Sequence, residues 1–217
     1  NYFGYNVGSV PRFINKGTLK KTAGTGVTTV QIQSADTNAV FQIQSGTMSF
    51  NANSNYINSD FNLSNGKLQF NGGIQTLDNQ SDITGTGSVF FPGGTITLNG
   101  TFIATDSTQF TGATVNFNKS VSSFGSKIAI TAGTVNVNTG DSVIVSVINQ
   151  SGGTANFNMN DSIIVSTFNL SGGTLSGNSP MRVASQFNWS GGTLSATDSN
   201  VTTAVSSTLC TNTNHFL

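Results

Sequence analysis

A short phrase, Gly-Gly-Thr followed by an apolar residue, returns along this chain at nearly constant intervals. That recurrence restricts the fold more than any other feature of the sequence. With its variants included, the threonine position is held by Thr18, Thr47, Lys67, Thr95, Thr114, Thr134, Thr154, Thr174 and Thr193. From Thr95 onward the spacings are 19, 20, 20, 20 and 19 residues. The earlier spacings of 29, 20 and 28 read as the same unit carrying insertions of 8 or 9 residues that include the turn-rich stretches 22–26 and 85–87. A unit of 20 residues is half of the roughly 40 to 45 that a propeller blade needs. Abundant Gly, Asn and β-branched residues oppose helical repeats.

Within each unit the apolar residues fall two apart. The residue after the anchor is Leu19, Met48, Leu68, Ile96, Val115, Val135, Ala155, Leu175 or Leu194. Two further on, seven of nine positions are again apolar, as in Gly133-Thr134-Val135-Asn136-Val137-Asn138. Such alternation marks half-buried strands. A second ladder lies six and four residues before the anchor: Phe41/Ile43, Phe61/Leu63, Val89/Phe91, Ile128/Ile130, Phe168/Leu170 and Phe187/Trp189. Its register slips at Thr108/Phe110 and Ile148/Gln150. A third, weaker ladder holds Val143/Val145, Ile163/Val165 and Val183 with Ser185. Three short strands per coil of about 20 residues describe an all-β, three-sided parallel β-helix (β-solenoid), whose backbone bonds each coil to its neighbours about 4.8 Å away. Parallel crossovers carry a general right-handed preference, so a right-handed helix is expected. Residues 13–197 form the repeat. Residues 1–12 read as an N-terminal extension or linking segment, and 198–217 as a C-terminal tail or partial coil.

Composition narrows the function. Charged residues make up 7% of the 217-residue chain, against a usual share of roughly 25%. Eight Lys and Arg balance eight Asp. No nucleic-acid partner is expected, because phosphate recognition needs a dense basic surface. No apolar run approaches the roughly 20 residues of a membrane-spanning helix. The 16 Phe set the chain apart from disordered polar sequences. The chain opens Asn-Tyr-Phe, which reads as a mature product or as a segment of something longer.

Candidate chemistry is sparse. Asp141 and Asp161 are 20 apart and should stack, where two carboxylates share a proton or bind a cation. Both also lie in turn sequences that favour Asp for local hydrogen bonds. Cys210 and His215 are single residues in a Thr/Asn-rich tail. No catalytic residue, cofactor or metal site is expected. A sharper candidate is a binding face. If the residue after the anchor points inward, then Thr95/Thr97, Thr114/Asn116, Thr134/Asn136, Thr154/Asn156, Thr174/Ser176 and Thr193/Ser195 stand outward in two rows. They would be about 6.7 Å apart along the strand and about 4.8 Å apart between coils. That array resembles the face of β-solenoid ice-binding proteins, with Lys67 and Gln69 as interruptions. Stacked Thr and Asn also stabilise solenoids without binding anything. Four Asn-x-Ser sequons, at Asn62, Asn149, Asn169 and Asn188, occupy one outward coil position and are candidate glycosylation sites in a eukaryotic secretory context.

The segment Phe13-Ile14-Asn15-Lys16-Gly17-Thr18-Leu19-Lys20-Lys21-Thr22-Ala23-Gly24-Thr25-Gly26 resembles the F-x-N-x-G-T-L-x-K-x-x-G-T-G element of large β-strand-repeat surface proteins. Phe168 to Leu175 and Phe187 to Leu194 are similar to it. Such proteins are similar in style to filamentous-haemagglutinin and autotransporter passenger repeats, and the resemblance spans about residues 13–197. It implies a right-handed β-helix at the cell surface with a structural or adhesive role, and it assigns no functional residue. The expected function is therefore a non-catalytic extracellular rod that associates end to end or forms part of a longer chain. Glycans or a surface are its candidate ligands. The alternatives are an ice-binding solenoid and a carbohydrate-active β-helix enzyme.

Overall fold

The Gly-Gly pairs explain how so polar a chain makes sharp corners. Gly173 has φ of 80°, a left-handed conformation that costs little only for glycine. An added Cβ there would lie 2.4 Å from the carbonyl oxygen of Gly153 in the coil before. Gly94, Gly153 and Gly192 hold the same conformation at their own corners. Each corner lets one continuous strand pass from one face to the next. Val143–Phe157, Ile163–Gly177 and Met181–Ala196 are strands of this kind.

The computed structural model describes residues 2–3, 12–196, 201–203 and 208–211. Among them the elements are strands, and their pairing is parallel. The chain is a parallel β-solenoid of about nine coils with three faces. On the first face Val27, Thr47, Lys67 and Ser88 pair in succession, and the column continues through Ser107, Lys127, Val147, Thr167 and Gln186. On the second face the inward column runs Ser34, Ser54, Gln75, Ile96, Val115, Val135, Ala155, Leu175 and Leu194. On the third face Leu19, Phe41, Phe61, Ile83, Phe102 and Val121 stack. Further along, Val143, Ile163, Met181 and Val201 stack in turn.

This register corrects the sequence alignment at its N-terminal half. Thr18 belongs to the third face and Thr47 and Lys67 to the first, whereas Thr95 onward belong to the second. The apparent insertions are jumps from one face to another. On the second face Ser34, Ser54, Gln75 and Ile96 follow one another at 20, 21 and 21 residues. Similarly, Phe41/Ile43 and Phe61/Leu63 are third-face pairs, and Val89/Phe91 and its successors are first-face pairs. Thr108 and Gln150 are in register and point inward. Thr108 Oγ1 donates to the Phe124 carbonyl at 2.7 Å, and Gln150 Nε2 to the Thr174 carbonyl at 2.8 Å. In the last coil Val183 shares its ladder with Met181, not Ser185. The segments outside 13–197 also join the stack. Tyr2–Phe3 pairs with Thr29 and Val30, Val201–Thr203 with Met181 to Val183, and Thr208–Thr211 with Gln186 to Trp189.

The core is a thin apolar column filled by phenylalanine. Phe41 and Phe61 stack at 4.6 Å, and Phe91 and Phe110 at 5.1 Å with nearly parallel rings. Phe117 and Phe124 meet edge to face at 5.0 Å. Offset and edge-to-face pairs each add about 0.5–1.5 kcal/mol beyond the area they bury. Where neighbouring coils both carry phenylalanine, strand spacing brings the rings into contact, whereas Phe157 stacks between Val137 and Gly177.

Candidate functional site

The residues expected to face outward on the second face do so. Thr95, Thr97, Thr114, Asn116, Thr134, Asn136, Thr154, Asn156, Thr174, Ser176, Thr193 and Ser195 are exposed or half-buried. Ile96, Val115, Val135 and Ala155 between them are buried. The six threonines pair coil to coil in one unbroken column from Thr95 to Thr193. The two rows differ in how they use their polar atoms. Asn136 Nδ2 donates to Asn116 Oδ1 at 2.8 Å, and Asn156 Nδ2 to Asn136 Oδ1 at 2.7 Å. The asparagine row is thus a hydrogen-bonded ladder along the rod. The six threonine hydroxyls take part in no hydrogen bond among the described residues, so they remain available to solvent or a ligand.

Lys67 and Gln69 do not interrupt this face. Both stand on the first face, where Lys67 Nζ lies 5.4 Å from the ring centre of Phe90. The equivalent second-face positions are Ile74 and Thr76, which pair with Thr95 and Thr97. Ile74 is 59% exposed. In the two earlier coils the outward positions carry Asn53, Asn55 and Ile57, then Gln33, Ala35 and Thr37. The two outward rows that hold Thr95 and Thr97, followed back to Gln33 and Ala35, contain no charged residue, and Asp78 stands level with Ile57 at their edge. The alignment missed this extension because it took Lys67 for the neighbour of Thr95.

Asp141 and Asp161 occupy equivalent turn positions and are both exposed. Their carboxylates are engaged separately. Asp141 Oδ2 accepts from Ser120 Oγ at 2.7 Å, while Asp161 Oδ1 accepts from the backbone N–H of Ser162 at 2.7 Å. The Asp161 bond is a local turn-forming one, whereas the Asp141 bond ties its turn to the preceding coil. A different stacked acid pair went unnoticed in the sequence. Asp60 Oδ1 accepts from Asp82 N at 3.2 Å, and Asp82 Oδ1 from Thr101 N at 2.6 Å. Each carboxylate caps the coil that follows it. Asp78 plays a comparable part for Asn58 N, Gln80 N and Ser81 Oγ. Burial works to raise its carboxyl, but these hydrogen bonds outweigh burial and hold it below its ordinary value. Among the described residues no three His, Cys, Asp or Glu side chains gather as a metal site requires. No helix there is long and apolar enough to cross a membrane. His215 and Asp198 lie outside the described residues, as does the side chain of Cys210.

Of the four candidate glycosylation sites, three share one position. Asn149, Asn169 and Asn188 stack on the first face. Asn62 stands on the third face, between Gln42 and Thr84. The three stacked amides form a second ladder, with Asn169 donating to Asn149 at 2.7 Å and Asn188 to Asn169 at 2.6 Å. The nitrogen that would carry a sugar is therefore occupied at Asn169 and Asn188. Asn62 Oδ1 accepts from Thr84 Oγ1 at 3.1 Å, which leaves its amide nitrogen free of that bond.

Comparison with known proteins found no matching family model, no matching curated protein and no matching solved structure.

Proposed function

We propose that this chain is a non-catalytic structural or adhesive rod that works outside the cell, as a subunit or segment of a surface or fibre assembly. The observation that carries the proposal is the parallel coil-to-coil pairing that runs along the first and second faces through about nine coils, so that the backbone of one coil continues into the next. Such a lattice resists bending and local unfolding because every coil is held on both sides. The likeness of residues 13–26 to β-strand-repeat surface proteins supports the same reading. At the first coils a hollow of about 440 Å³ is lined by Phe13, Leu19, Val30 and Met48. Lys20, Lys21 and Thr28 also line it, so the hollow offers both apolar and polar contacts to a further coil, from another copy or from a longer chain. Electron microscopy of the chain at micromolar concentration tests this. Filaments with an axial repeat of about 43 Å, nine coils at 4.8 Å, support end-to-end stacking. Dispersed single rods at every concentration refute it.

The second-face threonine column favours a second reading, in which that face binds ice. Six aligned threonines with unengaged hydroxyls, beside a second outward row that also carries no charge, offer an ordered array to a crystalline surface. A double substitution, Thr134→Tyr with Thr154→Tyr, places bulk in the middle of that array. Thermal hysteresis in the parent chain that disappears in this variant supports ice binding, and none in the parent chain ends it. The carbohydrate-active alternative draws no comparable support, since Asp141 and Asp161 turn to separate partners, Ser120 in the preceding coil and the adjoining Ser162.

A further inference from the structure

The core changes character at its N-terminal end. In the later coils the inward positions of the second face are apolar. In the earlier coils they are Ser34, Asp36, Ser54, Tyr56 and Gln75, all buried. Part of this cluster is satisfied. Tyr56 Oη donates to Gln75 Oε1 at 3.2 Å, and Gln75 Nε2 donates to the carbonyls of Ala52 and Gly72 at 2.6 and 3.0 Å. Ser54 Oγ donates to the Ala52 carbonyl at 3.2 Å.

The remainder is not satisfied. Asp36 Oδ1 accepts from the backbone N–H of Asn15 at 2.8 Å, but Asp36 Oδ2 is buried without a partner. Ser34 Oγ and Asn15 Nδ2 are buried without partners as well. The Ser34 hydroxyl lies near enough to the Asp36 carboxyl and the Tyr56 phenol to favour their charged forms by weak hydrogen bonding, yet neither contact has the distance and angle of a formed hydrogen bond. Buried polar atoms are almost always paired, with protein or with ordered water. Three unpaired atoms on two adjoining coils therefore point to a missing common partner.

We propose that Asn15, Ser34 and Asp36 hold one internal water molecule. The chemistry of the three atoms selects water over an ion. Asn15 Nδ2 is a donor only, and its orientation is set because Asn15 Oδ1 accepts from Gly17 N at 3.0 Å. A donor aimed into the site repels a cation, and the Asp36 carboxyl opposes an anion. Water accepts from Asn15 Nδ2, donates to Asp36 Oδ2, and exchanges its remaining bond with Ser34 Oγ. Three bonds of this kind are typical of a buried water. The water completes a clamp that already holds the first coil to the second, through Asn15 N to Asp36 and through Thr37 N to the Asn15 carbonyl at 3.2 Å. The site is independent of whether the rod assembles or binds ice.

The test is a crystal structure of the full chain at atomic resolution, with crystals also grown in rubidium salt. One fully occupied solvent peak within hydrogen-bonding distance of all three atoms, with no anomalous rubidium signal, is the expected result. An empty site, direct contact among the three side chains, or a rubidium peak overturns the proposal. In solution, oxygen-17 relaxation dispersion counts long-lived internal waters. The count should fall by one in Ser34→Val, and an unchanged count in that folded variant also overturns it.

Discussion

Replacing Gly173 with alanine puts the corner geometry to a quantitative test. Its φ of 80° is left-handed, which costs an alanine about 1–2 kcal/mol. The new Cβ would also stand 2.4 Å from Gly153 O, 2.5 Å from Gly152 C and 2.6 Å from Gly152 O. All three are backbone atoms of the preceding coil, so the backbone itself must move, at roughly 1–3 kcal/mol by analogy with overpacked cores. Restricting the unfolded chain returns about 0.4–1 kcal/mol. The net expectation is a loss of about 3 kcal/mol, the sum of those terms. Gly140 supplies the control. It is exposed, a methyl group added to it would meet no atom within 4 Å, and its φ is not left-handed. Gly140→Ala should be neutral or stabilising by up to about 1 kcal/mol. Urea denaturation followed by far-ultraviolet circular dichroism and by Trp189 fluorescence measures both variants. If Gly173→Ala stays within about 0.5 kcal/mol of the parent, the usual range for surface changes, the corner argument is wrong. Equal losses in the two variants would sink it as well.

Phe110→Ala removes a fully buried ring stacked on Phe91, and should cost about 3–5 kcal/mol in the same urea experiment. The carboxyl of Asp78 is held low in the folded chain, so its contribution is present above the ordinary carboxylate value and is lost as pH falls through the folded value. Asp78→Asn should therefore flatten the acid limb of a stability–pH curve. Asp36 has the opposite sign. Burial raises its carboxyl, so the stability it contributes is greatest in acid and declines as pH rises through the folded value. The groups facing it are Asn15, Ser34 and Tyr56, and burial pushes the Tyr56 phenol above its ordinary range, leaving Asp36 as the group that titrates in acid. Asp36→Asn should remove that decline, and a curve unchanged from the parent contradicts the assignment. Asn substitution at both Asp141 and Asp161 should leave the urea midpoint within the range of ordinary surface changes, about 0.5 kcal/mol.

Most of the fold is a local property of this chain, and local properties can be read along a sequence. Alternation such as Thr134-Val135-Asn136-Val137 states which side chains are inside, because successive residues on a strand point to opposite sides. Ser-Gly-Gly-Thr states where those corners fall, because glycine takes the left-handed turn against a neighbouring coil without a Cβ to clash. The threonine face from Thr95 to Thr193 was legible for the same reason, since corner and alternation recur there at constant spacing. What stacks on what is a different matter. Thr18-Leu19, Thr47-Met48 and Thr95-Ile96 look alike as strings, yet they lie on three different faces, and only backbone pairing between coils tells them apart. That pairing moved Lys67 and Gln69 off the threonine face, added Ile74 and Thr76 to it, and separated Asn62 from Asn149. The inward polar residues were hidden for a related reason. Asp36, Gln75 and Gln150 read as surface residues in any polar–apolar pattern, and their burial is possible only because neighbouring coils bring hydrogen-bond partners to them.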